Sequence, residues 1–169
     1  MPSQELTKSG WIYFAAPLFT RGEIDFNQKL ATGLREQGYR IYLPQEACAG
    51  ITDPYELYAT CIRGLDGAGM VLIILDGTDA DSGSCFEMGY AFAKGLPIVG
   101  LRTDFRGSGE HMGLNLMLTH SCVHLVLTQM PPVKTIAPAS PVTVIEVGTD
   151  PLPSLVDILA KLPAAQLAR

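Results

Sequence analysis

Two hydrophobic periods alternate along this chain. Short apolar runs stand at Trp11-Ile12-Tyr13-Phe14-Ala15, Arg40-Ile41-Tyr42-Leu43, Met70 to Leu75, Leu96-Pro97-Ile98-Val99-Gly100-Leu101 and Cys122 to Leu127. The third run is uninterrupted, the pattern of a strand buried on both faces. Between the runs the spacing is helical. Phe26, Leu30 and Leu34 recur from Ile24 to Gln37, and Gly38 stands where a C-cap belongs. Pro54 to Leu65 predicts a second helix, with Asp53 as N-cap and Pro54 at its first position. A third is expected from Ser84 to Lys94, closed by Gly95, and a short one from about Met112 to Thr119, after the loop Arg102 to Gly109. Strands alternating with helices predict an α/β fold: a doubly wound, mainly parallel five-stranded sheet in the order 2-1-3-4-5, with right-handed crossovers.

The C-terminal part reads differently. Met130-Pro131-Pro132 through Pro141 is Pro-rich and extended. Val142 to Val147 reads as a sixth, edge strand. Pro151 to Leu162 reads as a final packed helix capped by Asp150. No internal repeat is present, and 169 residues predict one domain with a sizeable core.

Composition narrows the function classes. The chain is 47% hydrophobic with a mean hydropathy of +0.22, yet no run approaches the roughly 20 apolar residues of a membrane helix. The N-terminus lacks a basic segment followed by an apolar one, so a cytoplasmic location is the default expectation. A net charge of −5 and scattered Lys and Arg residues exclude a nucleic-acid footprint. Cys48, Cys61, Cys85 and Cys122 show no C-x-x-C spacing and read as free thiols. His111, His120 and His124 are unclustered, which offers no metal site. Neither a dinucleotide fingerprint nor a nucleophile elbow is present.

The candidate chemistry concentrates in Asp76-Gly77-Thr78-Asp79-Ala80-Asp81-Ser82-Gly83-Ser84-Cys85-Phe86-Glu87-Met88-Gly89. It places Asp76, Asp79, Asp81 and Glu87 at the C-terminal edge of a strand, where open α/β sheets bind ligands. Glu87 falls in the first turn of the expected third helix, where the helix dipole keeps a carboxylate ionised. An ionised, fixed carboxylate can attack an electrophilic sugar carbon. Asp76, beside other acids, is the candidate proton donor through a raised pKa. Asp79 reads as turn chemistry. Ser82-Gly83-Ser84 suits an anion, but Asp79 and Asp81 repel one. Two further strand ends share this edge. The first carries Tyr13 and the small-residue turn Ala15-Ala16-Pro17-Leu18-Phe19. The second carries Gln45, whose donor and acceptor suit the edge of a nucleobase.

These residues together resemble the nucleoside 2-deoxyribosyltransferases. The resemblance rests on Ile12 to Phe19, on Asp76-Gly77 followed by Asp81 to Ala91, on Gly95-Leu96-Pro97, and on Arg102 to Arg106 with Asn115-Leu116-Met117. It spans about residues 10 to 128. It implies a double displacement without a cofactor: Glu87 attacks C1′ of a 2′-deoxynucleoside, the base leaves, and a second nucleobase takes the sugar. By the same resemblance Asp76 is the acid near the base, Asp81 holds sugar or base, Tyr13 orients the nucleophile and Gln45 contacts the base. Phe19 and Gly83 complete the substrate set. Asn115 and Met117 match residues given to a neighbouring subunit's site, which implies a homo-oligomer built from dimers, up to a tetramer or hexamer. Related hydrolases of nucleoside 5′-monophosphates carry serine where Asp81 stands, so Asp81 favours a nucleoside. The alternatives are an N-glycoside hydrolase of 2′-deoxynucleosides or their 5′-monophosphates, and a non-catalytic nucleotide-sensing module.

Overall fold

A computed structural model describes residues 10–105, 113–129 and 139–162. Expectations resting on Arg106, His111, Met112 and the Pro-rich stretch from Met130 to residue 138 lie outside the described residues. Within them the strands are β1 (Trp11–Ala15), β2 (Ile41–Tyr42), β3 (Ala68–Ile74), β4 (Ile98–Arg102), β5 (His124–Gln129) and β6 (Val142–Glu146). The helices are α1 (Arg21–Glu36), α2 (Pro44–Ala47), α3 (Pro54–Asp66), α4 (Ser82–Ala93), α5 (Leu116–Ser121) and α6 (Leu152–Lys161). All adjacent strands pair in parallel, in the order β2-β1-β3-β4-β5-β6. This is the doubly wound, flavodoxin-like arrangement expected from the apolar runs, and Val142–Glu146 supplies the extra edge strand.

Two apolar layers hold the sheet. On one face Ile12, Phe14, Leu72, Val99 and Val126 pack under α1 and α6 through Leu30, Leu34, Leu155 and Leu159. On the other, Tyr13, Val71, Ile73, Ile98 and Leu125 pack under α3, α4 and α5 through Leu65, Met88, Ala91 and Leu118. Strand residues of alternate parity feed opposite layers, so β3 is apolar throughout. The chain leaves β1 toward β2 on one side and β3 toward β4 on the other. The C-terminal ends of β1 and β3 therefore flank the switch point where such sheets open a crevice.

Boundaries moved where caps decided them. α1 begins at Arg21 rather than Ile24, because Thr20 and Glu23 close a capping box. α4 begins at Ser82, two residues early, because the Asp81 carboxylate accepts from the Ser84 N–H at 2.8 Å and from its hydroxyl at 3.1 Å. α5 starts at Leu116, after Asn115 caps it through the Met117 N–H. The one-turn helix α2 was not expected. Pro44 stops β2, and it also suits the first position of a helix.

The α3 side of the sheet depends on glycine. Trp11, Tyr42 and Tyr13 form a stack with ring centroids 5.5 Å apart at each step. Trp11 Nε1 donates to the Gly64 carbonyl at 2.7 Å and the Tyr42 hydroxyl to the Thr60 carbonyl at 2.9 Å. A Cβ on Gly64 would lie 2.4 Å from the Tyr42 ring, and one on Gly67 2.4 Å from Trp11. Gly89, on α4, meets nothing within 4 Å. Helix propensity alone favours alanine at both helical sites by about 0.5–1 kcal/mol. Gly89→Ala is therefore expected to raise stability by that amount. Gly64→Ala is expected to lower it by about 1–3 kcal/mol through overpacking. Urea midpoints of the two variants check the pair; equal shifts of one sign would sink the packing account.

Candidate active site

Tyr13 stands in the middle of β1, fully buried, with its ring toward α3 and α4. Its hydroxyl donates to Glu87 Oε1 at 2.6 Å. Glu87 is the sixth residue of α4, two positions deeper than expected, because the Asp81 cap starts the helix early. It therefore sits over Tyr13 and away from the free N–H groups of the first turn. This corrects the expectation that a helix terminus keeps it ionised. Burial pushes the Glu87 carboxyl up to about 7, against the hydrogen bond from Tyr13, with the charge of Asp81 adding to the rise. Burial and the facing carboxylate raise the Tyr13 hydroxyl far above the usual phenol range, so it remains a donor at neutral pH.

Glu87 opens onto a cavity of about 780 Å³ between α1, α2, α3 and α4. Of the residues read from the sequence, Phe19, Gln45, Asp81, Gly83 and Glu87 line it, and Tyr13 joins them through Glu87. Phe19 lies exposed on the rim, where Glu23 accepts from its N–H and from that of Thr20. Gly83 lies close against the Asp81 carboxylate, which a Cβ would approach to 3.1 Å. Gln45 is held by α1: its amide nitrogen donates to the Ile24 carbonyl at 3.2 Å and Gln28 Oε1 at 3.3 Å, and its oxygen accepts from Asn27 at 3.3 Å. Glu46, also on the wall, pairs with Arg35 at 2.6 Å, and that hydrogen bond holds its carboxyl below the usual range. Asp81 and Glu87 are then the acids of the wall without a cationic partner among the described residues, and no Lys, Arg or His lines the cavity there.

Three expected residues are not brought to the cavity. Asp76 is turned to the loop after β4, where its carboxylate accepts from the Thr103 N–H at 2.6 Å, the Asp104 N–H at 3.1 Å and the Thr103 hydroxyl. It is not among the lining residues, so its geometry is that of a loop brace and not of an acid aimed at a leaving group. Gly77, at φ +111°, makes the turn behind it, and Asp79 is an exposed part of that turn. Asn115 and Met117 lie exposed at the start of α5 and also stay off the wall.

The apolar wall was missed. Tyr58, Cys61, Ile62 and Leu65 line it from α3 at a helical i, i+3, i+4, i+7 spacing, and Leu57 and Phe86 complete it. The stripe is visible in the sequence, but an apolar stripe facing a cavity reads the same as one facing packed side chains. Among the described residues no three His, Cys, Asp or Glu side chains gather as metal ligands, and no helix is long and apolar enough to cross a membrane.

Comparison with solved structures supports the fold. A conserved protein from Enterococcus faecalis V583 superposes with a TM-score of 0.63 at 23% identity, covering 89% of this chain and 96% of that one. A 2-deoxyribosyltransferase from Bacillus psychrosaccharolyticus gives 0.58 at 22%, covering 68% and 83%. A CMP N-glycosidase from Clostridium botulinum gives 0.54 at 15%, covering 87% and 98%. No curated protein sequence matches significantly. The family model for nucleoside 2-deoxyribosyltransferase matches residues 12–118, a span that holds Tyr13, Gln45, Asp81 and Glu87. With the sheet order and the site at its switch point, that match over more than half of the chain shows that the protein belongs to the nucleoside 2-deoxyribosyltransferase family.

Proposed function

We propose that the protein transfers 2-deoxyribose between nucleobases, with Glu87 as the nucleophile and Tyr13 as the residue that aims it. The observation that carries this reading is the 2.6 Å Tyr13–Glu87 bond on the wall of a cavity large enough for a nucleoside. Glu87 attacks C1′, the C1′–N bond breaks with its electron pair leaving on the base, and a sugar ester forms. A second base reverses the step. The transition state carries positive charge on the sugar, and the acidic wall formed by Asp81 and Glu87, with no cation among its described residues, suits that charge. The same wall opposes a 5′-phosphate, because carboxylates in a partly dry site repel it. Tyr58 and Phe86, with ring centroids 6.4 Å apart, offer apolar faces to a base, and the Gln45 amide oxygen, which accepts from Asn27 alone among the described residues, has a lone pair left for its edge. The proton donor to the departing base is not assigned to Asp76, whose oxygens are engaged by Thr103 and Asp104.

A hydrolase of nucleoside 5′-monophosphates is the second reading, favoured by the likeness to the CMP N-glycosidase. Deoxyinosine with adenine separates the two. The expected outcome is deoxyadenosine formation exceeding free deoxyribose, with dCMP and dGMP consumed more slowly than deoxycytidine and deoxyguanosine. Release of free sugar alone, or faster turnover of the monophosphates, would overturn the transferase reading.

The titration of Glu87 makes a second test. Glu87 attacks only as the carboxylate, so kcat/KM is expected to rise with pH through about 7 and level above it. Tyr13→Phe removes the bond that favours the ionised form, so this limb should move to higher pH. Stability runs the other way. The folded pKa lies above the ordinary value of 4.5, so the contribution is complete below 4.5 and is lost as pH rises through about 7. It amounts to about 3 kcal/mol and is absent in Glu87→Gln, which should also lose turnover by roughly 10³-fold or more. An acid limb near 4.5, unmoved in Tyr13→Phe, contradicts the role given to this pair.

Asn115 and Met117 enter the same reading as residues offered to a neighbouring subunit, since both are exposed and neither reaches the cavity of its own chain. Co-expressed Asn115→Ala and Glu87→Gln chains should recover part of the activity that each alone lacks. Heteromers as inactive as the parents would show that each site is self-contained.

A further inference from the structure

The cavity holds a second pair of reactive groups that the proposed transfer does not use. Cys48 and Cys61 both line it, both are half-buried free thiols, and their sulfurs lie 3.9 Å apart. They come from different elements. Cys48 is the C-cap of α2, next to exposed Ala49 and Gly50, and Gly50 has φ +79° and open space around it. Cys61 lies inside the long helix α3 (Pro54–Asp66). One partner can therefore move while the other is held.

We propose that Cys48 and Cys61 are a redox-modifiable dithiol, which a low-molecular-weight disulfide converts into an intramolecular disulfide that closes the cavity wall. The Cys48 thiolate attacks one sulfur of the small disulfide, which splits and releases one thiolate, leaving a mixed disulfide on Cys48. Cys61 gives up its proton to solvent and attacks Cys48 Sγ, releasing the second small thiolate. Two protein thiols are oxidised, and one small disulfide is reduced to two thiols. The order follows from the environment. Burial pushes the Cys61 thiol up to about 11, which makes it the slower thiolate and the resolving partner.

Closure has a mechanical consequence. A disulfide needs its sulfurs at about 2.05 Å, so the two sulfurs must close by roughly 2 Å, and Gly50 lets the end of α2 yield toward α3. Pro44, Gln45 and Glu46 ride on α2 and line the same cavity, so the base-facing wall narrows. The remaining thiols are placed differently. Cys85 points to the Ala80 carbonyl at 3.9 Å, and Cys122 is buried with its thiol donating to the Leu118 carbonyl at 3.3 Å.

The effect on turnover rests on the proposed transfer activity, whereas the cross-link does not. The test incubates the reduced protein with oxidised glutathione, alkylates the remaining thiols, maps disulfides by mass spectrometry and assays deoxyinosine–adenine exchange. The expected result is a Cys48–Cys61 cross-link, two thiols left of four, at least a tenfold loss of exchange, and recovery with dithiothreitol. Cys48→Ser should show the same rate before and after oxidation, whatever that rate is, Cys61→Ser should hold glutathione on Cys48 with no cross-link, and Cys85→Ser should stay sensitive. A stable glutathione adduct without the cross-link, a cross-link that leaves exchange unchanged, or equal inactivation of Cys48→Ser overturns the proposal. If the reduced protein shows no exchange at all, the transferase reading has failed and the thiol map alone decides whether the dithiol forms.

Discussion

A carboxylate withdrawn from water must find a partner or take up a proton, and the site is organised around that constraint on Glu87. Its partner is one phenol, 2.6 Å away. A single neutral donor offsets part of the burial cost and leaves the acid poised near neutrality. A lysine or arginine in the same place would hold the carboxylate fully ionised but blunt it as a nucleophile. Tyr13 in turn depends on the stack that ends at Trp11, and the stack depends on Gly64 and Gly67 leaving room for two rings. The Glu87 carboxylate is thus tied, through three aromatic rings, to the absence of side chains on α3.

The charge pattern of the wall follows from how its acids are paired. Arg35 answers Glu46 from outside the cavity, and the cap of α4 engages Asp81 without neutralising it. What faces the interior is negative, largely apolar and free of described cations. Such a wall suits the positive charge that the proposed transfer develops on the sugar. One residue, Asp81, does two things at once. It starts α4 early enough to place Glu87 over Tyr13, and its charge helps raise the Glu87 pKa. The family match and the solved structures agree with this chain at the level of fold and family, and those proteins include both a transferase and a hydrolase.

The architecture was legible in the chain because it rests on local rules. β3 is apolar throughout since both its faces are covered. Pro54 after Asp53 starts α3, and the alternation of runs and helices yields a parallel sheet whose switch point lies between β1 and β3. The sequence by itself also marked Glu87 and Asp81, because acids between small residues at a strand end are out of place in a core, and Tyr13 through a second strand end on the same edge and the family resemblance.

The tertiary structure decided what those residues are. Glu87 is poised and not simply ionised, because the Asp81 cap moves it off the helix terminus and burial outweighs the dipole there. Asp76 braces a loop, because Thr103 and Asp104, 27 and 28 residues away, come to it across the strand ends. Tyr58, Cys61, Ile62 and Leu65 form a cavity wall, since nothing in an apolar stripe says whether it meets side chains or empty space. Cys48 and Cys61 stand 13 residues apart and become neighbours only when α2 folds onto α3. Spacing along a chain reports faces and caps; which faces meet, and how much water remains between them, is set by packing over distances that local rules do not reach.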